Sequence, residues 1–168
     1  TAMLDPILLA VALAMMWRAF GIRTALVSAI VFGANDYYMF GTCWAGATLR
    51  HDWLAYLAMG IALLKLEKWT WAGALLMLSG LIRAFPFFAL VGAALPAIWW
   101  LGEYVVQNRR LPSVASIKEH QMPVLKIALG ALITGVVLFL ASSALFGLKS
   151  WPEWLHKVGM LHRDPHVN

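Results

Sequence analysis

The sequence predicts an all-α protein: a polytopic transmembrane helix bundle of about six spanning helices, followed by a short interfacial amphipathic helix. Two observations carry this. Hydrophobic residues make up 62% of the 168 and charged residues only 12%, whereas a soluble domain carries roughly 25% charged residues. The mean hydropathy is +0.75, and the apolar residues fall into separate runs divided by short polar connections. Nine Trp and four Tyr suit a chain that crosses headgroup layers repeatedly. The single cysteine, Cys43, excludes an internal disulfide. The net charge of +5 is read as Lys and Arg retained on one side of a bilayer, not as a nucleic-acid surface.

A spanning helix needs about 20 residues, because the hydrocarbon core is ~30 Å thick and a helix rises ~1.5 Å per residue. The apolar runs are Ile7 to Trp17 behind Asp5-Pro6, Thr24 to Ala34, Trp53 to Leu64, Trp69 to Ile82, Phe85 to Val106, and Val124 to Leu148. A polar loop with Gln107, Asn108, Arg109, Arg110, Pro112 and Pro123 separates the last two. Gly60, Gly73, Gly80 and Gly130 are expected to permit close helix contact. The chain begins at Thr1 and is apolar almost at once. It is read as a piece of a longer polytopic protein, with a bundle over 1–148 and an outer-face helix and loop over 149–168.

Charge orients the runs. The connections on one side carry Arg18, Arg23, Lys65, Lys68, Arg109, Arg110, Lys118 and Lys126, which makes that side cytoplasmic. The expected location is a bacterial inner membrane. The second, third and fourth runs cover roughly 16, 18 and 21 Å as helix, short of ~30 Å. Their basic cytoplasmic anchors put the shortfall on the outer side, beside Asn35, Asp36, Arg50, His51, Asp52 and Arg83. Ionisable groups at that depth face a wet cavity or one another. Bilayer thinning, tilt or snorkelling would accommodate the same short helices, and Asp52 would equally serve as a cap ahead of Trp53.

Further along, Ser150-Trp151-Pro152-Glu153 has the form of a capping box with Pro in the first turn. Trp151, Trp154, Leu155, Val158 and Leu161 then recur at helical spacing up to Pro165, the pattern of an interfacial helix. The outer face thus gathers Asp36, Arg50, His51, Asp52, Arg83, His162, Arg163, Asp164 and His166. Arginine forks match phosphate oxygens, and carboxylates take protons from hydroxyl nucleophiles. Together they suit transfer of a group away from a phosphate, and they suit plain Arg–Asp pairing equally well. No metal site is expected, since Pro165 interrupts the His162/His166 spacing. No phosphate loop, nucleotide fingerprint or nucleophile elbow is present.

The stretches Leu49-Arg50-His51-Asp52-Trp53-Leu54-Ala55, Leu63-Leu64-Lys65, Trp71-Ala72-Gly73-Ala74-Leu75 and Leu81-Ile82-Arg83-Ala84-Phe85-Pro86 resemble a pattern in bacterial GT-C-type membrane glycosyltransferases. The likeness is to those similar to polyprenol-phosphate-mannose-dependent mannosyltransferases. The tail Trp154-Leu155-His156-Lys157-Val158, then Leu161-His162-Arg163-Asp164, resembles their following outer-loop segment. The resemblance implies transfer of a hexosyl or mannosyl group from a polyprenyl-phosphate-linked sugar to a lipid or glycan acceptor, on the periplasmic or exterior face, with no cofactor. Asp52 and Asp36 are then the candidate bases, with the true base upstream of Thr1 as an alternative. Arg50, His51, Arg83, His162, Arg163 and Asp164 are the candidate substrate-binding residues. Two rival readings use the same charges: a lipid-linked-sugar flippase or transporter, or a non-catalytic membrane subunit whose charges only pair helices.

Overall fold

The computed structural model describes residues 4–38 and 51–161, with residues 34–38, 154–155 and 158–161 described as backbone. Seven helices form among them: α1 Leu4–Phe20, α2 Ile22–Tyr38, α3 Asp52–Lys65, α4 Trp69–Ile82, α5 Phe87–Asn108, α6 Val114–Phe146 and α7 Ser150–Leu161. The described residues contain no strand. Two helices, α5 with 22 residues and α6 with 33, are long and apolar enough to cross a membrane.

Consecutive helices alternate in direction. Gly21 alone joins α1 to α2, and its φ of 91° is one that a residue with a Cβ rarely adopts. Its N–H closes α1 onto the Trp17 carbonyl at 2.7 Å. In α3 and α4, Gly60 faces Leu76 while Trp53 bonds to Ser79, an antiparallel register. In α4 and α6, Thr70 and Ala74 lie against Gly130 while Met77 lies against Gly135, a parallel register. Residues Ala12, Ala55 and Met59 pack together, flanked by Leu8, Leu9, Met15 and Tyr56, so α1 lies along α3.

The core is made of small residues. Ala12, Ala25, Ala55, Gly60, Ala62, Ala72, Gly73, Ser79, Gly80 and Gly130 are buried, and Leu76, Met59 and Ile127 are the large apolar side chains among them. Large apolar side chains instead point outward: Trp71 is 70% exposed and Phe88 76%. Small residues at helix contacts let backbones approach where surrounding lipid leaves no hydrophobic drive between helices. The four glycines singled out in the sequence all lie at such contacts. A Cβ on Gly73 would run into the Ile127 carbonyl, and one on Gly130 into that of Thr70. Gly60 and Gly80 lie against Leu76 and Phe87.

The structure departs from the sequence reading in four places. Helix α2 continues past Ala34 to Tyr38, which carries the Asn35 and Asp36 backbone into the helix. Helix α5 begins at Phe87, because Arg83 through Pro86 form a tight reversal with N–H bonds from Phe87 to Ala84 and from Phe88 to Phe85. The expected loop before α6 is largely helical: Ser113 caps a helix whose axis breaks at Gln121, with Pro123 following. Pro lacks an N–H and crowds the preceding turn, so the helix kinks there but continues. Finally, the expected capping box of α7 does not form. The Ser150 hydroxyl donates to the Gly147 carbonyl at 2.7 Å, drawn back by the turn at Gly147, whose φ is 82°.

The α4–α6 contact gives the first prediction. Gly130→Val forces two backbones apart and lowers unfolding stability in detergent by about 1–3 kcal/mol, the usual cost of overpacking. Gly33→Ala is its control, since a methyl there meets open space. That substitution leaves stability unchanged or raises it by about 0.5–1 kcal/mol through helix propensity.

Candidate functional site

Alternating directions give the bundle two chemically distinct ends. One carries Arg18, Arg23, Lys65, Lys68, Arg109, Arg110 and Lys118, at the C-termini of α1, α3 and α5 and the N-termini of α2, α4 and α6. The other carries the start of α1, the start of α3 and the α4–α5 reversal, and most of the described candidate residues lie there.

Trp53 is the hub of this second end. The Asp52 Oδ1 accepts the Trp53 backbone N–H at 2.8 Å. The Trp53 carbonyl accepts the Ser79 hydroxyl at 2.6 Å, and Ser79 is fully buried in α4. The Trp53 ring meets Phe85 edge-on at 4.7 Å between centroids. Arg83 falls between Ser79 and Phe85 in sequence, so both of its flanks are tied to Trp53. Its own N–H closes α4 onto the Ser79 carbonyl at 3.0 Å, its backbone is extended and its side chain is exposed. The α4–α5 reversal is thereby fastened to the start of α3 at Trp53.

His51 closes the other flank. It is the N-cap of α3, where its carbonyl accepts from Leu54 and Ala55 at 3.0 and 3.1 Å. Its ring meets Phe32 of α2 edge-on at 5.4 Å. The Asp36 backbone lies one turn of α2 beyond Phe32, at the same end.

The structure adds a residue that the sequence reading left as a mere helix lead-in. Asp5, in the first turn of α1, is only 7% exposed. Asp52 is half-buried, and α1, which carries Asp5, packs along α3 through Ala12, Ala55 and Met59.

The candidate residues thus divide. His51, Asp52 and Arg83 come together around Trp53. Asp36 reaches the same end by its backbone. Arg50, His162, Arg163 and Asp164, with His166, lie outside the described residues. The sequence allowed Asp52 as the cap of α3, but the cap residue is His51, with no side-chain cap bond. Asp52 is the first helical residue, and its Oδ1 takes the next N–H, which has no intrahelical partner. Among the described residues, no group of three His, Cys, Asp or Glu side chains could hold a metal ion.

Ser79→Ala tests the hub. Losing the hydroxyl removes the α3–α4 bond at Trp53 and lowers stability by about 1 kcal/mol. Faster proteolysis after Arg83 should accompany it, because the turn that follows Ser79 leans on the same Trp53 through Phe85. Comparison of the sequence with family models and curated proteins, and of the fold with solved structures, finds no match.

Proposed function

We propose that this chain forms six membrane crossings, α1 to α6, with its basic end in the cytoplasm and the Trp53 end beneath the outer surface of a bacterial inner membrane. Its outward-facing large side chains and small-residue core support that reading, as do the lengths of α5 and α6. On it, the short α3 and α4, each of 14 residues, end below the outer surface. Asp52, His51 and Arg83 lie at that end.

The function these groups serve best is glycosyl transfer from a polyprenyl-phosphate-linked sugar, with a hexose such as mannose as the transferred group. The observation that carries it is the shared tie to Trp53. The half-buried Asp52 accepts its N–H. The exposed Arg83 lies in the turn between Ser79, which bonds to its carbonyl, and Phe85, which packs on its ring. Asp52 takes the proton from the acceptor hydroxyl. The acceptor oxygen forms its bond to the anomeric carbon as the bond from that carbon to the phosphate oxygen breaks. Polyprenyl phosphate leaves with the electron pair, and Arg83 stabilises the charge that develops on it. Asp5 acts behind Asp52 and Tyr56 as a positioning residue. The GT-C resemblance of residues 49–55 and 81–86 supports the same assignment.

One observation favours a second reading. The Asp52 Oδ1 accepts the Trp53 N–H, as a purely structural cap would, and on that account the chain is a non-catalytic membrane subunit. An assay of the full-length protein with polyprenyl-phosphate sugar separates the two. Transfer chemistry predicts that Asp52→Asn lowers kcat by about 10²–10⁴-fold, the range for loss of a general base, with donor binding retained. Arg83→Ala weakens donor binding. The subunit reading predicts no transfer by the wild type, and a melting temperature for Asp52→Ala lowered by the loss of the bond to the Trp53 N–H.

A further inference from the structure

The opposite end holds a feature that the transfer reaction does not use. Helix α5 and the first turns of α6 form an antiparallel hairpin beyond the main bundle. Arg109, in the left-handed region at φ 51°, terminates α5 with its N–H on the Val105 carbonyl at 2.9 Å. Leu111 and Pro112 cross over, and the Ser113 hydroxyl restarts the helix by accepting the Ser116 N–H at 3.2 Å. The His120 ring then stacks on Trp100 at 5.4 Å and 18°. The His120 Nδ1 lies 3.0 Å from the Ser116 carbonyl. This stack ties the two arms together, and the break at Gln121 sets the hairpin's direction apart from the rest of α6.

The hairpin surface is mixed in a particular way. Arg109, Arg110 and Lys118 are exposed, with Glu119 beside them. Leu111 is 77% and Val114 83% exposed, although both are apolar. This surface continues along α5 through the exposed Val106 and Trp99, with the exposed Glu103 between them. Trp99, Trp100 and Tyr104 lie where a headgroup-level aromatic belt belongs. The apolar side chains would sink among acyl chains while the guanidinium and ammonium groups remain at headgroup depth. A cytosolic protein partner would leave that continuity with the spanning face unexplained.

We infer that the α5–α6 hairpin is an anionic-phospholipid binding site on the basic face, held by Arg109, Arg110 and Lys118. The inference rests on the membrane reading above but not on sugar transfer. Its chemistry is phosphate recognition by clustered basic side chains beside inserted apolar ones, and the ligand is a membrane lipid.

The test uses the full chain, purified in detergent, with lipid retention read by native mass spectrometry. Phosphatidylglycerol should be retained over phosphatidylcholine, and soluble glycerol phosphate should not displace it. Arg109→Gln/Arg110→Gln/Lys118→Gln should reduce that preference by roughly fivefold per charge, the usual effect of one basic residue at an anionic surface. Arg18→Gln/Arg23→Gln, at the same end but on α1 and α2, should leave most of it intact. Equal retention of both lipids overturns the inference, as does an equal loss in the two variants. Displacement by glycerol phosphate, or by an acidic soluble peptide, overturns it in favour of a free phosphate or a protein partner. A chain that stays monodisperse without detergent refutes the membrane reading itself, which is a separate result.

Discussion

The arrangement depends on how closely α4 can approach its neighbours. Its buried stripe is Ala72, Gly73, Leu76, Ser79 and Gly80, nearly all small. On one side Gly73 and Gly130 let it meet α6 backbone to backbone, and on the other Leu76 fits over Gly60 of α3. Large side chains on that stripe would push α3 and α6 outward and separate Ser79 from Trp53. Van der Waals contact between backbones has to supply the cohesion, because the large apolar side chains are turned outward.

The Trp53 hub follows from this closeness. Ser79 can reach the Trp53 carbonyl only because Gly60 and Leu76 set the α3–α4 spacing below it. With that bond in place, the reversal after α4 has one position available. Phe85 docks on the Trp53 ring, and the exposed Arg83 lies in the turn between Ser79 and Phe85. The parallel packing of α1 on α3, through Ala12, Ala55 and Met59, brings Asp5 to the same level. Packing of small residues in the middle of the bundle thus sets the electrostatics at its end.

Helix α5 obeys different rules. None of its residues is buried, and it touches the bundle near its two ends, at Phe87 against Gly80 and at Trp100 against His120. Between those points its apolar face is open. This suits a helix that borders lipid along its length, and it leaves a lateral approach from the bilayer to the reversal at Arg83.

The sequence by itself determined the all-helical class, the starts and stops of α3 and α4 to within a residue, and the four glycines at which helices meet. Each follows from a local cause: continuous apolar runs, the charges that bound them, and the absence of a Cβ. It also placed His51, Asp52 and Arg83 at one end, because direction alternates whenever short loops join antiparallel helices. Tertiary structure alone decided that α4 is central, that α1 packs along α3 with Asp5 buried, and that the stretch before Pro123 is helical and folds back on Trp100. The physical reason is that these outcomes depend on contacts between residues far apart in the chain. Apolar periodicity in a helix with large exposed side chains says little about which face meets which neighbour.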